Sequence, residues 1–196
     1  MRMIALAVLI LMLLVPGPLV AQVAPGQAEI TGYDGLFRAA ATGDVATIER
    51  LAAEGAKLNV RDGRRRTPMM VAAHLHQYDA ARALIGAGAN VNAFGADRYD
   101  LLTIAAAHLG HDEVVRTLID GGASLNHITN LDWAALIDAI VLGDGGPRHV
   151  TTFRALVDAG ADVNIPDGRG VSPLTLARQR GYADMVEILA AAGALP

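Results

Sequence analysis

The histidines are the residues whose type and spacing come nearest to a chemical site. His74 and His108 hold matching places in two similar segments, and His76 and His111 lie close by. If the segments stack, the imidazoles approach one another, and imidazole is a common metal ligand. Adjacent packed helices, however, are about 8–10 Å apart, which is wide for two ligands of one zinc ion. We therefore favour polar surface residues, with metal binding as the alternative, and we assign no metal ligand.

A cluster of arginines is the second feature with chemical potential. Arg61, Arg64, Arg65 and Arg66 are four of the sixteen basic residues, in a chain whose net charge is −4. One interpretation is an anion-binding loop for an acidic protein, a phosphate or a lipid headgroup. The other is a solvated loop that keeps the protein soluble, which is the commoner role of a short charge run. The pI of about 5.8 gives no reason to expect nucleic acid as a partner.

Motifs for catalysis are missing from the sequence. It has no Gly-x-Ser-x-Gly, no phosphate loop, no Rossmann fingerprint and no His-Glu-x-x-His. The chain contains no Cys, which excludes disulfides, thiolate catalysis and Cys-ligated zinc. We predict that the protein is not an enzyme and takes no cofactor.

The elements that position these residues repeat along the chain. Five versions of one phrase begin 33, 34, 33 and 38 residues apart, and each is followed by a Gly-Ala pair. The phrases begin at Leu36, Met69, Thr103, Leu136 and Leu174, and the pairs at Gly55, Gly88, Gly122, Gly160 and Gly193. A period near 33 indicates stacked units that bury a shared core, and such arrays usually bind rather than catalyse.

Each unit is predicted to contain two helices and a loop. Thr67-Pro68 and Ser172-Pro173 are typical helix starts, because Thr and Ser cap backbone N–H groups and Pro is tolerated at the first helical position. A second helix is predicted over Asp112 to Asp120, and the Gly of the Gly-Ala pair ends it. An Asn recurs four residues after that Gly, where its side chain can bond nearby backbone in a turn. The positions are Asn59, Asn92, Asn126 and Asn164.

These phrases resemble the ankyrin repeat. The resemblance is carried by Thr67-Pro68-Met69-Met70-Val71-Ala72, by Gly88-Ala89-Asn90-Val91-Asn92, and by Gly110-His111-Asp112-Glu113-Val114-Val115. It implies an all-α repeat solenoid of five ankyrin repeats, each a helix-turn-helix plus a β-turn finger loop. The repeats cover about 34–66, 67–99, 100–133, 134–171 and 172–196.

The resemblance also implies where a partner binds. In ankyrin arrays, partners contact the finger loops and the exposed end of the first helix, called the palm. Carried onto this chain, the partner-binding residues are Arg64, Arg66, His74, Leu75, Tyr99, His108, Leu109, Trp133 and Arg169. Trp133 is the only Trp, and it has two interpretations of equal weight: contact with a partner, or packing against a neighbouring loop.

Two departures from the family pattern carry further expectations. The family favours Gly in the loop tip two residues before the Thr; Gly170 keeps it, but Arg65 and Asp132 replace it. The fourth unit has five extra residues within Asp144 to His149, and their Gly and Pro content predicts a surface loop.

The start of the chain is typical of a secretory signal. Arg2 precedes an apolar run from Ile4 to Val15, and small residues follow a Pro-Gly-Pro break. Twelve apolar residues span only about 18 Å as a helix, less than a membrane core of about 30 Å. We expect a cleaved signal over 1–21 and a flexible lead over 22–33. The alternative is an uncleaved inner-membrane anchor.

Together these features predict an exported bacterial scaffold, periplasmic or secreted, that binds a protein partner. We expect a monomer with no nucleic-acid partner and no membrane span after the signal is removed. The alternatives are a secreted effector that acts on a host protein and, with less support, a His-dependent metal-binding protein.

Overall fold

The computed structural model describes residues 24–95, 102, 105 and 112–196. Over these ranges the chain forms helices, turns and loops without a β-strand, in agreement with the all-α prediction. The helices are α1 (Gln27–Gly32), α2 (Gly35–Thr42), α3 (Val45–Ala53), α4 (Pro68–His74), α5 (Tyr78–Gly86), α6 (Asp112–Asp120), α7 (Ala135–Val141), α8 (Pro147–Asp158), α9 (Pro173–Arg180) and α10 (Ala183–Ala191).

The helices after α1 stack as repeated pairs in two layers. Helix α2 pairs with α3, α4 with α5, α7 with α8 and α9 with α10. First helices contact first helices of neighbouring units (α2 with α4, α7 with α9), and second helices form the row α3, α5, α6, α8 and α10. The first helical segment of the third unit is described only at Leu102 and Ala105, and both are buried.

The repeated apolar residues form the core. The Ala of each first helix is fully buried at Ala72, Ala139 and Ala177, and the Leu of each second helix is fully buried at Leu84, Leu118, Leu156 and Leu189. Leu51 belongs to the first unit and is only partly buried, because a neighbouring unit covers it on one side only. Burying a Leu side chain contributes about 1.5–3 kcal/mol, so each added unit stabilises the one before it.

The predicted helix boundaries are confirmed where the structure describes them. The Thr67 hydroxyl accepts a hydrogen bond from the backbone N of Met70 at 3.3 Å, and Pro68 follows as the first helical residue. Ser172 accepts from the backbone N of Thr175 at 3.2 Å in the same way. Helix α6 runs from Asp112 to Asp120, as the sequence predicts. The glycines that end the second helices are left-handed, with φ between 79° and 92°.

The recurring Asn residues connect neighbouring units rather than bonding only within their own turn. Each Oδ1 accepts a hydrogen bond from the backbone N two residues after the Gly of the next Gly-Ala pair. The bonds are Asn90 N to Asn59 at 2.8 Å, Ser124 N to Asn92 at 2.7 Å, Asp162 N to Asn126 at 2.9 Å, and Leu195 N to Asn164 at 2.8 Å. We call this row the Asn ladder, and it fixes the register of each unit on the next.

Two sequence predictions about loops were wrong. The lead predicted to be flexible contains α1, because the Glu29 carboxylate accepts from the backbone N of Gly26 at 2.9 Å and caps the helix. The insertion of the fourth unit is partly helical: Pro147 to His149 form the first turn of α8, which has 12 residues. Pro at the first helical position favours such a start, so only Asp144 to Gly146 remain a turn.

Among the helices that the structure describes, none is long and apolar enough to cross a membrane. The signal predicted over 1–21 lies outside the described residues.

Candidate protein-binding surface: the finger loops

Three finger loops share one backbone geometry. We call residues 62–66 finger one, 129–133 finger three and 167–171 finger four; finger two lies outside the described residues. The first residue of each finger donates its backbone N–H to the carbonyl of the fifth. The distances are 3.0 Å from Asp62 to Arg66, 2.9 Å from Thr129 to Trp133 and 2.9 Å from Asp167 to Val171. Each finger is therefore a closed turn held by its own backbone.

The first side chain of each finger stabilises the turn. Its oxygen accepts from the backbone N two residues on, at 2.9 Å from Arg64, 3.3 Å from Leu131 and 2.9 Å from Arg169. The fourth residue is left-handed in every case, with φ of 64° at Arg65, 57° at Asp132 and 79° at Gly170. Fingers one and three adopt this conformation with a residue other than glycine. A left-handed conformation of such a residue strains the backbone by roughly 1–2 kcal/mol per residue.

Finger one is also bound to α1 through buried charge. The Arg66 side chain is 1% exposed and lies 2.7 Å from a carboxylate oxygen of Asp62 and 2.7 Å from one of Glu29. It also donates to the Tyr33 hydroxyl at 3.0 Å. The Tyr33 hydroxyl in turn donates to Asp62 at 2.8 Å. These contacts join α1 to the first repeat.

The finger carboxylates stay ionised because donors surround them. Burial raises the pKa of Asp62, but hydrogen bonds from the Tyr33 hydroxyl and from Arg66 outweigh it and lower the pKa below its ordinary value. Burial likewise raises the pKa of Asp167, and the N–H of Val171 and the contacts of Arg169 outweigh it, again lowering the pKa. Both fingers therefore retain their turn at neutral pH.

Comparison with known proteins gives the same architecture. Residues 9–95 match Ankyrin repeats (3 copies), and residues 99–130 match Ankyrin repeat. The chain is 29% identical over 189 residues to the ankyrin repeat protein YahD of Escherichia coli (strain K12), with 80% of this chain and 94% of that protein covered. It is also similar to the crystal structure of an ankyrin repeat domain from Acinetobacter baumannii AYE. There the TM-score is 0.52 and the identity 33%, with coverage of 82% of this chain and 98% of that one.

The chain belongs to the ankyrin repeat family. Ankyrin repeats are a non-enzymatic scaffold family whose solenoids mediate protein–protein interaction, and this assignment agrees with the repeat structure described above. The fold itself names no partner, because function depends on the residues that a scaffold presents.

Two of the partner-binding residues predicted for the ankyrin fingers are exposed at finger tips. Arg64 occupies the third place of finger one and lies 3.0 Å from Glu29, with its side chain 45% exposed. Arg169 occupies the same place in finger four and lies 2.9 Å from Asp167, with its side chain 61% exposed. Leu131 is their equivalent in finger three.

Arg66 and His74 require correction, because neither is exposed enough to contact a partner. Arg66 is buried because α1 covers finger one and supplies Glu29 as a counter-charge. His74 is 6% exposed, since α4 is buried along its whole length between its neighbours. Leu75, the next residue, is partly buried.

Trp133 is partly buried and packs against the hydrophobic core at the base of finger three. This contact supports the packing interpretation. The predicted residues Tyr99, His108 and Leu109 lie outside the described residues.

In the described ranges no three His, Asp or Glu side chains come together as metal ligands would, whereas His108 and His111 of the metal alternative lie outside those ranges. His76, one of the four histidines considered, is left-handed with φ of 60°, at the place where Gly43 and Gly181 end other first helices.

Sequence reasoning named Arg61 only as part of the arginine cluster and missed two residues beside the fingers, Phe94 and His127. Arg61 donates through Nη1 to the carbonyls of Arg65 and Phe94, and so connects two repeats. Phe94 stacks on His127, with ring centroids 4.4 Å apart and planes 28° apart. Phe94 and Arg61 each lie two residues after a ladder Asn, and this shared register is a signal that the sequence does contain.

Proposed function

We propose that this ankyrin protein is exported to the bacterial cell envelope and binds a protein partner through its finger tips. The observation that carries the proposal is the contrast within the fingers. Their backbones make the same hydrogen bonds, yet the third place holds the exposed Arg64 and Arg169 in two fingers and the half-buried Leu131 in the other. A shared framework with different side chains at the finger tips is the arrangement that a recognition surface needs.

The physical mechanism is rigid presentation. Each finger is closed by backbone bonds and by an Asp or Thr side chain, and the Asn ladder fixes one repeat on the next. A rigid surface loses little conformational entropy when a partner binds. Less of the favourable contact energy is therefore offset, and the affinity is higher.

Export rests on the charged, apolar and small-residue pattern of residues 1–21. We propose the periplasm as the location and a single chain as the working form. Fractionation of cells that express the full sequence with a C-terminal tag tests the location. A shortened protein in the periplasmic fraction supports it, whereas a full-length protein in the membrane fraction indicates an anchor. A shortened protein in the medium favours a secreted effector.

The binding proposal is tested by crosslinking and capture from the same cells. The test variant replaces Arg64, Leu131 and Arg169 by Ser, and the matched control replaces the exposed Arg116 and Arg154 of the second helices by Ser, an equal loss of charge. We expect a crosslinked protein that the parent and the control retain and the finger variant loses. Equal capture by all three chains would refute the finger surface.

A further inference from the structure

Exposed apolar side chains beside finger one are the starting point. Among the described residues, Val60, Phe94 and Leu195 are the large apolar side chains that are exposed, at 37%, 40% and 65%. Leu195 is next to the last residue, but Val60 and Phe94 belong to consecutive repeats on either side of Arg61. The stack on His127 holds the Phe94 ring in place. An aromatic ring that is fixed and exposed is suited to binding, because little rotamer freedom remains to be lost.

Arg61 fixes the position of this aromatic residue relative to finger one. One of its guanidinium nitrogens donates to the carbonyl of Phe94 in the next repeat and to the carbonyl of Arg65 in its own finger. The guanidinium is therefore tied to the backbone of Phe94 in the next repeat and of Arg65 in finger one. We call Lys57, Val60, Arg61, Arg65, Phe94 and His127 the basic-aromatic patch.

The charges of finger one divide into a compensated and an uncompensated set. Arg64 and Arg66 both pair with Glu29, and Arg66 pairs with Asp62 as well. By contrast, no carboxylate in the described part of the chain pairs with Lys57, Arg61 or Arg65, and all three are exposed. Three exposed cations without a carboxylate partner thus lie between positions 57 and 65 of a protein of net charge −4, and a hydrogen bond joins Arg61 to Arg65.

A hollow next to the patch gives an apolar side chain a place to bind. It is open to solvent, with a volume of about 390 Å³, and is lined by the four consecutive residues Lys57, Leu58, Asn59 and Val60. Leu58 is partly buried, whereas Val60 and Lys57 are exposed, so the lining includes both apolar and cationic side chains.

We propose that the basic-aromatic patch binds an acidic segment of the partner protein. One aromatic or large aliphatic side chain of that segment packs in the hollow beside Val60, and flanking residues contact the exposed Phe94 ring and place carboxylates opposite Arg61 and Arg65. Charge complementarity favours this occupant: the patch carries three exposed cations without a carboxylate partner on a protein of net charge −4, so an acidic peptide is attracted here more than to the surface as a whole. Guanidinium groups also match carboxylates in geometry. This inference rests on the proposed function and specifies the chemistry of its partner.

The test is a selection of displayed random linear peptides on the protein purified from cells that express the full sequence. The patch variant combines Arg65→Glu with Phe94→Ser; Arg116→Glu on α6 is the charge control. Arg65 is exposed and its carbonyl still accepts from Arg61, so the fold should survive, which circular dichroism and thermal unfolding verify. We expect enriched peptides to carry Asp or Glu beside an aromatic or large aliphatic residue. A synthetic copy should bind the patch variant about tenfold more weakly than the control, with affinity falling as salt rises.

Different failures have different meanings. Enriched peptides without acidic residues, or equal binding by parent and patch variant, overturn the patch proposal. If the finger variant nevertheless loses those peptides, finger binding stands and only the patch is wrong; if neither variant loses them, both proposals fall. Vesicles of phosphatidylglycerol and a single-stranded DNA oligonucleotide are the competing probes. Binding to either that requires the patch, in the absence of peptide binding, also overturns the inference.

Discussion

Asn126 Oδ1 accepts a hydrogen bond from the backbone N of Asp162 at 2.9 Å and so joins the third repeat to the fourth, which contains the five-residue insertion between its two helices. The two residues are 36 apart in sequence, whereas the other ladder pairs are 31 or 32 apart. The insertion is absorbed by the longer α8 and by the turn before it. The stacking register is therefore the same on both sides of the insertion, and the fingers stay aligned.

We predict that Asn126→Ala destabilises the protein by about 0.5–1.5 kcal/mol, the usual net contribution of one hydrogen bond. Urea unfolding of parent and variant gives the difference. Asn130→Ala is the matched control, because Asn130 is exposed in the neighbouring turn. It should change stability by less than about 0.5 kcal/mol, the usual limit for a surface substitution. Equal losses for the two variants would show that the ladder bond contributes nothing.

Removal of the buried Arg66 cation of finger one should reduce the stability of the fold by more than Asn126→Ala does. Arg66→Leu leaves Asp62 without its guanidinium partner in a site where the side chain is 8% exposed. Breaking a buried ion pair on one side typically costs 3–5 kcal/mol. We expect a loss on the order of 3 kcal/mol in chemical unfolding, and faster exchange of the amides of α1. The surface pair of Arg50 and Glu54 is the comparison, and Arg50→Leu should cost below about 1 kcal/mol.

The lowered pKa of a finger carboxylate predicts how the stability of the protein depends on pH. The pKa of Asp62 is lower in the folded protein than its ordinary value. Its contribution is therefore complete above the unfolded pKa of about 3.9 and is lost as the pH falls through the folded value. Unfolding free energy should begin to decline below about pH 5. Asp62→Asn, measured by urea midpoints at several pH values, should give a shallower acid decline from a lower starting stability. An unchanged acid slope would contradict this assignment.

The left-handed finger residues predict opposite effects of two glycine substitutions. Gly170 has φ of 79° and open space where a Cβ would stand, so Gly170→Ala introduces backbone strain alone. We expect a loss of about 1 kcal/mol. Arg65→Gly relieves strain at φ of 64° and should be neutral or stabilising by up to about 1 kcal/mol. Gly63→Ala is the control in the same finger, since its space is open and its φ is ordinary. Thermal unfolding of the three variants tests whether Gly170→Ala is less stable than the parent protein, and Arg65→Gly at least as stable as the parent protein.

Close packing between α5 and the end of α6 predicts that alanine has opposite effects on stability at two glycines. A Cβ on Gly121 would lie 2.9 Å from Cγ2 of Ile85 and 3.1 Å from Cγ1 of Val91. Gly121→Ala should therefore cost about 1–3 kcal/mol. Gly86 ends α5 with no atom near its Cβ position, so Gly86→Ala should be neutral or stabilising by up to about 1 kcal/mol. The midpoint temperatures of thermal unfolding, measured by calorimetry, distinguish the effects of the two variants. A harmless Gly121→Ala would mean that the helices have room to separate.

The period of the sequence predicts the framework well, because framework residues act through local chemistry that recurs. Thr67-Pro68 starts a helix and the Gly of each Gly-Ala pair ends one, whatever lies around them. Asp62, Thr129 and Asp167 recur three residues after a ladder Asn, so even the finger turn is present in the pattern.

The candidate site is harder to predict, because exposure depends on residues distant in sequence. Arg66 is buried by Glu29, 37 residues earlier, and by Tyr33. No motif marks that contact, so an arginine run appears uniformly exposed. Phe94 and His127 meet only after two repeats stack. Periodicity places such residues at the same register but does not say which of them a neighbour covers.

The measurement that tests the central claim most directly is site-specific photocrosslinking in living cells. A benzophenone amino acid is placed at Leu131, at the tip of finger three, and in a second chain at Arg154, on the exposed side of α8. The account predicts a crosslinked protein of one defined mass from position 131 and none from position 154. A product from position 154 alone, or equal products from both, would contradict the claim that the fingers are the recognition surface.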